Sequence, residues 1–73
     1  MADHVVEAPA PGKILKVYVE QGKPVVDGDR LCLMEALKME LPIVAPAGGT
    51  VKALHVSAGQ NVEAGDLLAV IEE

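Results

Sequence analysis

Seventy-three residues leave room for one modest core, and the expected organisation is a single domain over residues 1–73 with no deep cleft for an ordinary enzyme. The composition is 51% hydrophobic but 1% aromatic, with Tyr18 alone, which excludes a stacking platform for single-stranded nucleic acid. A net charge of −5, from 6 basic and 11 acidic residues, argues against binding a phosphate backbone.

An internal repeat organises the chain. Shifted by 37 positions, residues 8–35 align with residues 45–72 without a gap, and 11 of the 28 positions are identical. The identities include Ala8/Ala45, Pro9/Pro46, Gly12/Gly49, Gly22/Gly59, Gly28/Gly65, Asp29/Asp66 and Glu35/Glu72. They fall on residue types that set turns and strands. Two copies related by a pseudo-two-fold axis follow.

In chain order, Ala8-Pro9-Ala10-Pro11 comes first and is expected to be an extended edge segment, where Pro is tolerated. Gly12, Gly22 and Gly28 are expected at turns that use positive φ. Between them, Ile14–Val19 alternates as a strand with one wet face. Ile14 is out of phase with Val17 and Val19, which predicts a bulge near the strand start. Leu31–Leu41 is rich in helix formers, but its apolar residues cover every helical face and Pro42 follows at once. Its repeat partner Leu68–Glu72 contains β-branched residues. Two strands, about Arg30–Glu35 and Met39–Val44, joined by a tight hairpin, are therefore expected. The second copy repeats the pattern, with Ala45-Pro46-Ala47, a strand over Val51–Val56 with Val51 out of phase, and turns at Gly49, Gly59 and Gly65. The fold class is all-β: a flattened eight-stranded barrel-sandwich of two pseudo-two-fold-related four-stranded units.

Several residues read as structural. One Cys makes no internal disulfide, and Cys32 in an apolar strand is a small buried hydrophobe. No paired Cys/His spacing suits zinc, so no metal site is expected. His4 and His55 are expected to be exposed and unpaired, and Asp27-Gly28-Asp29 to be a turn. The cysteine usage fits a reducing, cytoplasmic compartment. Met1–His4 has no signal-peptide character, and no apolar run reaches the roughly 20 residues that span a bilayer, so no membrane insertion is expected.

The hairpin Ala36–Met39 lies between the copies and occurs once, which makes it the place where function is added to a duplicated scaffold. Lys38 sits in it, flanked by Leu37 and Met39, with Met34 nearer the core. Apolar residues at an exposed tip point to recognition, and a lysine amine suits acylation. Glu35-Ala36-Leu37-Lys38-Met39-Glu40 resembles the biotin attachment motif of the biotin carboxyl carrier protein family, usually Glu-Ala-Met-Lys-Met. The resemblance extends to the two Ala-Pro-x-x-Gly starts and the two Val-x-x-Gly-Asp segments. Leu37 departs from the usual Met, a change small in volume and polarity. The inserted thumb of some acetyl-CoA carboxylase carriers is absent.

The resemblance implies that Lys38 carries biotin in amide linkage, placed there by a biotin protein ligase. Glu35, Ala36, Leu37, Met39 and Glu40 form the recognition motif, with Glu35 and Glu40 either orienting the ligase or only solvating the hairpin. It further implies a non-catalytic swinging arm between a biotin carboxylase and a carboxyltransferase or decarboxylase. A lipoyl carrier of 2-oxo acid dehydrogenase or glycine cleavage systems is the alternative. Its usual Asp-Lys-Ala flanks are not matched by Leu37-Lys38-Met39.

Overall fold

The computed structural model describes residues 2–73, and these fold into eight strands without a helix. They are β1 (Asp3–Glu7), β2 (Gly12–Val17), β3 (Pro24–Val25), β4 (Arg30–Ala36), β5 (Met39–Val44), β6 (Gly49–Leu54), β7 (Asn61–Val62) and β8 (Leu67–Glu72). The helix-forming residues of Leu31–Leu41 lie in β4, in β5 and in the two-residue turn between them. Weak propensities yield to pairing and burial on both sides of the turn.

The strands form two antiparallel sheets, ordered β1-β8-β6-β3 and β5-β4-β2-β7. No strand pairing joins the sheets among the described residues, and the two four-stranded antiparallel sheets form a two-layer sandwich. Each sheet takes two strands from each copy of the repeat. The copies are thus intertwined, and neither forms a sheet alone. Register follows the repeat throughout: Glu35↔Glu40 maps onto Glu72↔Asp3, and Lys13↔Glu35 onto Thr50↔Glu72.

Both expected bulges occur. Register shifts between Ile14 and Lys16 in β2, and between Val51 and Ala53 in β6. The extra residue turns Ile14 and Val51 inward, and both are fully buried. Among the described residues the core contains 16 buried side chains, all aliphatic, Met or Cys. Fourteen of them form seven pairs separated by 37, including Ile14/Val51, Leu31/Leu68 and Met34/Ile71. A core lacking aromatic rings is therefore filled twice by one pattern. Burial pushes the Cys32 thiol up, so it stays protonated as an apolar packing group.

Two expectations are corrected. Ala8–Pro11 and Ala45–Ala47 are not extended edge segments; they lie in bends carrying the chain from one sheet to the other. Their prolines stand where no ladder bond is needed. Gly12 and Gly49 do not supply positive φ; Gly22, Gly28, Gly59 and Gly65 do, with φ between 87 and 91°. Gly12 and Gly49 begin strands where a neighbouring backbone leaves no room for a Cβ.

Every connection crosses between the sheets except one. The hairpin from β4 to β5 stays within its sheet. Its pseudo-symmetric counterpart is the meeting of the chain ends, where the Glu73 N–H donates to the Ala2 carbonyl at 2.9 Å. The molecule is elongated, 35 × 19 × 17 Å.

Candidate functional site

The turn between β4 and β5 consists of Leu37 and Lys38, closed by the pair Ala36↔Met39. Both turn residues have positive φ, 54° for Leu37 and 63° for Lys38. Two-residue hairpins favour this backbone because its twist matches that of the strands. It normally calls for Asn or Gly; a branched or long side chain there costs about 1–2 kcal/mol per residue. The cross-strand ladder over Met34↔Leu41 and Glu35↔Glu40 holds the chain in it. Strain of this kind gathers at sites where a side chain must be displayed.

The displayed side chains are Leu37, 89% exposed, and Met39, 62% exposed, on either side of exposed Lys38. Ala36 and Met34 are buried, so the apolar surface of the tip belongs to Leu37 and Met39. Met34 is core. Among the described residues, Lys38 forms no ion pair and no side-chain hydrogen bond.

Glu35 and Glu40 face each other directly across β4 and β5. Like charges opposite one another destabilise a ladder. At the equivalent place in the other sheet, Asp3 faces Glu72, and Lys52 neutralises both, at 2.8 and 3.7 Å. The counterpart of Lys52 in the first copy is Leu15. Lys13 stands next to Glu35 in register, yet no ion pair forms. The acidic pair beside Lys38 is left open while its twin is closed.

The other singled-out residues lie elsewhere. His55 is exposed, but His4 is neither exposed nor unpaired as expected: it is half-buried, and its Nε2 lies 2.9 Å from Glu73 Oε2, joining β1 to the residue that follows β8. Asp29 and Asp66 each accept a backbone N–H three residues back, from Val26 and Glu63, and so close turns. An open groove of about 440 Å³, lined by Val17, Tyr18, Val19, Glu20, Lys23 and Pro24, runs along the β2–β3 connection. It begins where Tyr18 N–H bonds Leu31, at the far end of β4 from the hairpin. The ion pairs of the chain ends had no local sequence signal, because their partners are 49 and 69 residues apart.

An all-β sandwich of two intertwined repeats, with one within-sheet turn displaying a lysine, has the form of a biotinyl or lipoyl attachment domain. Residues 4–71 match the family model described as "Biotin-requiring enzyme", and the chain belongs to this family. It is 50% identical over 40 residues to the methylmalonyl-CoA decarboxylase subunit gamma of Veillonella parvula, covering 55% of this chain and 31% of that one. It is 51% identical over 44 residues to the biotin carboxyl carrier protein of Streptococcus mutans, covering 60% and 34%. The urea carboxylase of Kluyveromyces lactis contains a similar fold, with a TM-score of 0.89 and 32% identity over 99% of this chain and 6% of that one. The matches thus span about a third of each of these two curated relatives.

Proposed function

We propose that this chain is a biotin carboxyl carrier domain and that Lys38 is its attachment residue. The observation that carries this is the turn: the one connection that stays in its sheet displays an amine with no ion-pair partner among the described residues, between two exposed apolar side chains. The group fits there, since a covalent amide needs a reachable Nζ and no enclosing pocket. Lys38 would hold biotin through an amide between its Nζ and the biotin carboxyl carbon, formed with loss of the carboxyl's activating group and of a proton from the amine. A biotin protein ligase supplies the activation. The attached group supplies the carboxyl-carrying chemistry. The domain supplies a mount for the arm and a high local concentration of it near its partners. Those partners are a biotin carboxylase and a carboxyltransferase or decarboxylase, in keeping with the relatives named above.

Lys38 is tested by intact mass after reaction with a biotin protein ligase, biotin and ATP. One biotinyl adduct is expected, lost in Lys38→Arg with the fold retained. An adduct on another lysine, a lipoyl adduct from cells, or no adduct with an active ligase overturns the assignment.

Leu37→Met tests the recognition motif. Stability in urea is expected to stay within about 1.5 kcal/mol of the parent, and the initial biotinylation rate to rise modestly. A large loss of either would show that this turn depends on Leu37 itself.

A further inference from the structure

The two sheets have four edges: β1, β3, β5 and β7. β3 and β7 contain two residues each and offer no ladder of useful length. β5 has Pro42 at its centre. The closing pair Ala36↔Met39 sets the alternation of bonded and non-bonded pairs, and this places Pro42 where its nitrogen faces away from β4. Pro42 therefore removes the outward N–H and blocks strand addition on that edge.

The pseudo-symmetric position in β1 is Val5. The Glu73-to-Ala2 bond sets the same alternation, so the N–H and C=O of Val5 face outward, away from β8. Among the described residues β1 pairs with β8 only. Val5 is 56% exposed, with exposed Asp3 and Glu7 two residues to either side on the same face. Three edges are thus blunted by shortness or proline, and the fourth is left open.

The charges on the open edge select its occupant. A second copy pairing antiparallel about Val5 would set Asp3 against Glu7 and Glu7 against Asp3, a like-charge pair at each end. A segment with basic residues at those two places and an apolar residue opposite Val5 meets both carboxylates. Asp3 already shares Lys52, while Glu7 has no cation within ion-pair distance among the described residues. We propose that the free edge of β1 is a strand-addition site for an extended basic segment of a partner protein. Main-chain bonds to Val5 supply affinity, and Asp3 and Glu7 supply register. The site is separate from the Lys38 turn.

The test uses the full chain and the capped peptide Lys-Thr-Val-Thr-Lys, read by amide hydrogen exchange and chemical-shift mapping. At millimolar peptide, exchange at Val5 is expected to slow several-fold. The effect is absent with Glu in place of both peptide lysines, and unchanged in Lys38→Arg, so it is independent of biotinylation. Val5→Pro abolishes it, and should fold because Pro42 occupies the equivalent place; circular dichroism and retained biotinylation check this. Glu7→Lys weakens the basic peptide without introducing proline. No protection at Val5, protection that survives Val5→Pro, equal binding of the acidic peptide, or protection that grows with protein concentration alone overturns the proposal. The last result would make a second copy the occupant.

Discussion

Gly49→Ala is expected to lower stability by about 3 kcal/mol, at the upper end of what overpacking costs. A Cβ on Gly49 would overlap the Glu72 carbonyl oxygen, and would lie 2.8 Å from the Glu72 carbonyl carbon and 3.2 Å from the Glu73 Cα. All three atoms are backbone, so no rotamer change relieves the clash. A chain of this size holds roughly 4–11 kcal/mol in total, and so a large part of the stability is at stake. Gly12→Ala should cost the same, because its Cβ would overlap the Glu35 carbonyl oxygen and approach Met34 Cε at 2.9 Å. The two differ in function. Glu35 adjoins the Lys38 turn, so Gly12→Ala should also slow biotinylation of the folded fraction, whereas Gly49→Ala acts beside the chain ends and should not. Urea midpoints with ligase initial rates measure both. A loss under about 1 kcal/mol in either variant would mean that the close strand approach is not maintained in solution.

Met34→Ala and Ile71→Ala form the second pair. Both side chains are fully buried and occupy equivalent places in the repeat. Each truncation should cost about 2–5 kcal/mol, through lost transfer energy and the cavity left behind. Similar costs at the two positions are expected, since the copies share one register. Met34→Ala should leave the biotinylation rate of folded protein near the parent value, because the side chain packs inward and does not reach the displayed surface. Removing Met34 Cε does not move the Glu35 carbonyl, so Met34→Ala should not rescue Gly12→Ala. Rescue would place the steric conflict at the side chain and contradict the geometry above. A loss below 1 kcal/mol for Met34→Ala, measured by urea denaturation, would show that the residue is not core.

The repeat made most of the architecture legible in advance. Val51 out of phase in the same place as Ile14 announced both bulges, and the β-branched partner Leu68–Glu72 overruled the helix-forming run of Leu31–Leu41. The lysine turn was legible for a different reason: it is the one segment the repeat does not duplicate within the chain. Gly12 and Gly49 were misread because a glycine required for positive φ and one required for close approach look identical in sequence; only the position of the opposing carbonyl separates them. The roles of Ala8–Pro11 and Ala45–Ala47 were misread because local extension does not reveal which sheet the next strand joins.

The sequence by itself determined the duplication, the strands, the aliphatic core and the single lysine turn, because these depend on periodicity and residue type within a few positions of one another. Tertiary structure alone decided how the copies intertwine, which acidic pair Lys52 neutralises, and which sheet edge is left unguarded. Each of these depends on residues brought together from distant parts of the chain. The contrast between Pro42 and Val5 acquires meaning only once both are seen to stand at the edge of a sheet.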